Sequence, residues 1–166
     1  MSKKRVEYLR AYLPYCDAVG AMFSMRGSDY SVDWRHNYIV ALSTLRATGH
    51  VLHKVDTLRF PELGPVVTDR FARWKKGEGD DALFKHFIED GRNQLLKTYL
   101  FTANDELAFF EDELESGDID IITEGFFKGY NVVDILHHCA NWWATELSEI
   151  ADEIGEHSIV RLGAMA

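Results

Sequence analysis

The side chains best suited to chemistry lie at residues 84–99, FKHFIEDGRNQLLKTY, where Asp90, Arg92, Asn93 and Lys97 accompany an apolar helical stripe. Arginine presents a flat fork of donors that fits two phosphate oxygens, and lysine presents a compact positive charge. Arg92, Asn93 and Lys97 are therefore expected to hold a phosphate, with Arg92 and Lys97 the candidates for any catalytic role. A second polar line, His36, Ser43, Arg46, His50 and His53, runs along an earlier helical stretch, with Arg46 one turn from His50 and two from His53. Such a line faces solvent or walls a cleft. In the second case Arg46, His50 and His53 join Arg92, Asn93 and Lys97 as substrate-binding candidates. The competing reading makes Arg92 structural, paired with Asp90, Glu89 or a more distant carboxylate that orients neighbouring elements.

Other chemistries find less in the sequence. His50 and His53 share a helix face, His137 and His138 lie in another helix, and neutral imidazole suits zinc, iron or nickel. Adjacent His137 and His138 point about 100° apart, so only one of them could join a site. No HExxH pattern or paired-carboxylate motif accompanies them. No metal and no cofactor are expected. Nucleophilic catalysis lacks a GxSxG elbow, a cysteine in a recognisable histidine context and a phosphate-cradling glycine loop.

These residues need helices to position them. Leu83, Phe84, Phe87, Ile88, Leu95 and Tyr99 recur at three- and four-residue steps, which predicts one buried face, with Asp80 or Asp81 as the helix cap. Gly91, before Arg92, predicts a kink or a close helix contact. A helix from 33 to about 55, opened by Asp33, buries Trp34, Tyr38, Leu42, Leu45, Gly49, Leu52 and Val55. Residues 4–26 read as helix with Val6, Leu9, Leu13, Cys16 and Phe23 on one face, interrupted or restarted at Pro14. Residues 58–65 read as a loop and 66–76 as a short helix through Val67, Phe71 and Trp74, ended by Gly77 and Gly79. The last helix starts at an Asn131 cap and carries Val132, Leu136, Cys139, Trp143, Leu147, Ile150 and Ile154 to a stop at Gly155. The expected fold is mostly α: one domain over 1–166, a bundle of about five helices, with at most a small β-hairpin after the fourth.

The chain has 166 residues, enough to bury a core without staples. Cys16 and Cys139 lie in helical segments outside any zinc pattern and read as buried thiols in a reducing compartment. No apolar run resembles a signal peptide or approaches the roughly 20 residues that span a bilayer, so a cytoplasmic chain without membrane association is expected. Charge is polarised: residues 1–101 hold 16 Lys/Arg and 12 Asp/Glu, whereas 102–166 hold 2 and 15, within a net charge of −9. That balance argues against a broad duplex-binding footprint and leaves room for a local basic site. The eight acidic positions between 105 and 120 could engage a basic partner protein, or the basic part of the same chain or of a second copy.

A resemblance adds to this reading. The runs YIVALSTLRATGHVLHK and FARWKKGEGDDALFKHFIEDGRNQLLK, spanning residues 33–99, resemble bacterial helical proteins similar to the HEPN (higher eukaryotes and prokaryotes nucleotide-binding) superfamily. Their pattern is a long helix ending in a VLxK-like phrase, an F..W segment and an FxxxxRNxxxH motif. Phe87, Arg92 and Asn93 match, and the helix after Asn131 looks like the group's C-terminal helix. The resemblance implies an arginine and a histidine, usually paired across a homodimer, that cut RNA without metal. Here Lys97 occupies the histidine position. An ordinary lysine, with a pKa near 10.4, is a poor proton shuttle at neutral pH. The implied function is binding of a nucleotide or RNA phosphate without strong ribonuclease activity. The alternative is a protein-interaction module, of an immunity or toxin–antitoxin type, acting through its acidic surface. If the helices bearing Arg46 and Arg92 pack together, Arg46 and His53 could supply a substitute histidine. A homodimer could use exposed Trp142 or Trp143.

Overall fold

Each long apolar stripe in the sequence finds a partner across one core. The structure, a computed structural model of the chain, describes residues 8–26, 32–99 and 121–153. Its helices are α1 (Tyr12–Met25), α2 (Val32–Val51, continued by a π turn at Leu52–Asp56 and by Thr57–Arg59), α3 (Leu63–Lys76), α4 (a π segment at Leu83–Glu89 followed by Asp90–Thr98) and α5 (Val132–Glu153). The all-α bundle expected from the helical periodicity is what these elements build. After α4, among the described residues, an isolated antiparallel bridge joins Ile121 to Asn131. The acidic stretch 105–120, Ile154 and Gly155 lie outside the described residues. No described helix is long and apolar enough to cross a membrane.

The core is aromatic at its centre. Trp74, Phe84, Trp142 and Trp143, from α3, α4 and α5, hold ring centroids 4.8–6.0 Å apart, mostly tilted or edge-on as ring quadrupoles favour. Trp142 and Trp143 are buried, so they offer no exposed surface for a dimer. At the C-terminal half of α2, a Cβ on Gly49 would stand 3.2 Å from Trp143, so the glycine lets the indole approach the α2 backbone. Small residues do similar work between α1 and α2, where Ala18, Ala21 and Ala41 are buried. The first-helix face differs from expectation for this reason: Leu9 belongs to a turn ahead of α1, so the inward line is Ala18, Met22 and Met25, while Leu13 and Phe23 are exposed. Pro14 falls in the first turn, where its missing N–H costs nothing.

A wide turn in α2 displaces the sequence register. A π turn holds more than four residues, so after Leu52 the inward position is Asp56, four on, and not Val55, three on. Val55 is 39% exposed and Asp56 fully buried. The Asp56 carboxylate accepts the backbone N–H groups of Arg10 at 2.8 Å and Ala11 at 2.9 Å, and pairs with Arg59 at 3.1 Å. It ties the N-terminal segment to the end of α2. Residues 63–65, expected in a loop, form the first turn of α3 because Pro65 is tolerated there. Gly77 ends α3 at φ +69°, as expected.

Asp80 and Asp81 make no side-chain cap at the start of α4. Asp81 instead accepts from Arg73 at 2.8 Å and from the Trp142 indole at 3.3 Å. Arg73 also bonds Glu146, and Glu146 holds Arg70 at 2.6 Å, so a partly buried charge network staples α3 to α5. Tyr99, expected on the buried face, is exposed in the left-handed conformation that closes α4. Asn131 caps α5, its Oδ1 accepting from Val133 at 2.9 Å and Asp134 at 3.3 Å.

Candidate functional site

The cleft that gathers the predicted polar residues is set by how α2 meets α4. Arg46 pairs with Glu89 at 3.5 Å, Leu42 lies 4.0 Å from where a Cβ on Gly91 would stand, and Arg35 sits 5.0 Å over the Tyr99 ring. Rising numbers on α2 thus meet falling numbers on α4, and the helices run antiparallel. Gly91 is buried, but its 4.0 Å clearance is ordinary contact. The distortion expected there lies just upstream, in the π segment.

Between these helices opens a cleft of about 330 Å³ lined by Ser43, Arg46, Ala47, His50, Arg92 and Asn93. Arg92 is half-buried, and its Nη1 donates to Asn93 Oδ1 at 3.3 Å. It has no carboxylate partner among the described residues. The acids expected to quench it are engaged elsewhere: Asp90 with Lys85 at 2.8 Å and His86 at 3.7 Å, Glu89 with Lys85 at 3.4 Å and with Arg46. Arg46 also lies 5.8 Å over the Phe84 ring, which holds its stem against the core.

The structure brings Arg46, His50, Arg92 and Asn93 together and separates the other two candidates. Lys97 lies exposed, outside the cleft lining. It is five residues beyond Arg92, about 7.5 Å along the helix axis, toward the N-terminal part of α2. His53 lies the other way. It joins Arg46, His50, Lys54, Phe71 and Lys75 in an adjoining cleft of about 470 Å³ between α2 and α3. The two clefts share Arg46 and His50. His53, expected as a substitute histidine beside Arg92, does not line the Arg92 cleft; the histidine that does is His50.

The electrostatics are one-sided. Among the described residues neither cleft is lined by a carboxylate, whereas Arg46, Lys54, Lys75 and Arg92 all carry positive charge. Burial, reinforced by Lys54, His50 and Lys75, holds the His53 pKa below the usual histidine value, and its ring packs against Phe71 at 5.1 Å. By contrast the cleft between α3 and α5 is lined by Glu78, Asp80, Asp81, Glu146 and Glu149. Lys54 and Lys75 were missed in the sequence. Thr68, Ala72 and Lys75 recur at four and three residues on the polar face of α3, which is the signal that could have found the second wall.

The histidines weighed as metal ligands have other surroundings. His50 and His53 face lysines, and His137 shares a 2.8 Å hydrogen bond with Arg26 while burial and that guanidinium lower its pKa. Cys139 is buried with its thiol pKa pushed up, and Cys16 is half-buried. Among the described residues no group of three or more His, Cys, Asp or Glu is placed to hold a metal ion. The arrangement can attract an anion, fork two of its oxygens, and offer an imidazole beside it. Compared with family models, with curated proteins and with solved structures, the chain matches none.

Proposed function

We propose that this protein binds a phosphate group of RNA or of a nucleotide in the α2/α4 cleft and does not cleave it efficiently. One observation carries the reading: on a chain of net charge −9, Arg92 lines a cleft free of lining carboxylates, beside Arg46 and His50 and without a carboxylate partner among the described residues. An arginine without a carboxylate partner among the described residues, while nearby acids bind other cations, is poised for an incoming anion. The HEPN resemblance supports the same reading and implies a homodimer, which sedimentation of the full chain decides. Lys97 in the histidine position supports binding without turnover.

The test is anisotropy of a fluorescein-labelled single-stranded RNA with wild type and Arg92→Ala, alongside a cleavage assay that includes Lys97→His. The expected result is binding weakened about tenfold or more by Arg92→Ala, the loss of one charge-assisted contact. Cleavage is expected to be weak or absent in the wild type, and a gain in Lys97→His supports a lost histidine. Equal binding by wild type and Arg92→Ala overturns the reading.

A further inference from the structure

The α2/α4 cleft shares His50 with a neighbour. The same imidazole and the same Arg46 guanidinium also line the adjoining α2/α3 cleft, whose charged lining adds Lys54 and Lys75. The order of residues on α2 makes this a track: Arg46, His50, His53 and Lys54 climb one face of the helix, with Arg92 on α4 flanking its lower end and Lys75 on α3 its upper end. Lys54, Lys75 and Arg92 lack carboxylate partners among the described residues. Lys75 lies 6.0 Å over the Phe71 ring, which keeps its ammonium at the cleft wall.

We infer that the ligand is a single-stranded nucleic acid whose backbone places successive phosphates in the two clefts, one at Arg46 and Arg92 and a later one at Lys54 and Lys75. A mononucleotide fills only the first. A duplex is disfavoured, because the basic strip is one helix face wide, and the α3/α5 cleft on the other side of α3 carries acids that repel a second backbone. The inference rests on the phosphate reading of the first cleft and adds the length and strandedness of what binds there.

The experiment measures anisotropy of a fluorescein-labelled octauridylate with the full chain at 50 and 200 mM salt, with uridine monophosphate and the DNA counterpart as competitors. Three unpaired cations give a slope of log affinity on log salt near about −2.1, which is roughly an 18-fold loss over that range. Lys54→Ala/Lys75→Ala, at two exposed positions that leave the fold intact, is expected to cut that loss to about 2.6-fold while Arg92→Ala removes one cation's share. The octamer is expected to outcompete the mononucleotide. If the lysine double variant keeps the wild-type slope, or the mononucleotide competes as well as the octamer, the two-phosphate track is wrong. The first cleft then still stands, provided Arg92→Ala weakens binding. If Arg92→Ala changes nothing, both readings fail.

Discussion

Asp56 offers a measurable consequence of the displaced register in α2. Its carboxylate is fully buried and accepts two backbone N–H groups, one of them on the fully buried Ala11. Asp56→Ala leaves both donors without this acceptor, and the Ala11 N–H is too deeply buried for water to replace it. Each hydrogen bond to a charged acceptor contributes about 1.5–3 kcal/mol. Against this stands relief from burying the carboxylate, whose pKa burial raises despite the opposing pull of the two amides and Arg59, and that relief offsets part of the loss. The net expected loss is about 3 kcal/mol, or roughly a 6–12 °C fall in Tm for a chain of this size. Asp56→Asn keeps one acceptor oxygen and should lose about half as much. Thermal unfolding gives the magnitude, and amide exchange gives the location: the Arg10 and Ala11 N–H groups should lose protection ahead of α5. A change under 1 kcal/mol in Asp56→Ala would show that the N-terminal segment is not held by this carboxylate.

Three further outcomes follow from the packing. Gly77→Ala should lower stability by about 1–2 kcal/mol in denaturant melts, because φ is +69° and a Cβ there would stand 2.9 Å from the Lys85 Cβ. Arg70→Ala should cost about 1.5–3 kcal/mol, since Glu146 is buried and loses one of its two guanidinium partners while keeping Arg73. Burial depresses the pKa of both His53 and His137, so below the unfolded value near 6.5 the unfolded chain binds more protons than the folded one. Stability should therefore be fully present above that value and fall as pH drops below it, and His53→Gln/His137→Gln should flatten the dependence.

What the sequence makes legible is the α-helical part of the fold. The α5 stripe from Val132 to Ile150 is buried at every position named for it, because nothing in that helix departs from 3.6 residues per turn. The π turns are where legibility fails. No residue type signals them, and the one in α2 hands the inward position from Val55 to Asp56. Asp81 shows another limit, since a carboxylate ahead of a helix reads as a cap until a tertiary partner, here Arg73 with Trp142, outbids the backbone. In the site, Arg46, His50, Arg92 and Asn93 could be picked out by type and spacing. Which of them share a cleft depended on the antiparallel pairing of α2 with α4, which left Lys97 outside, while the packing of α3 on α2 brought Lys75 to Lys54 and His53.

The most direct measurement watches the two guanidinium groups themselves. Arg92 and Arg46 Nε–Hε resonances, assigned by single substitution, are followed by NMR while inorganic phosphate is titrated into the full chain. Both signals should move in a saturable way with one shared dissociation constant, and Arg92→Lys should weaken it. Guanidinium signals that stay fixed while phosphate perturbs only surface lysines such as Lys97 would mean that this cleft holds no anion.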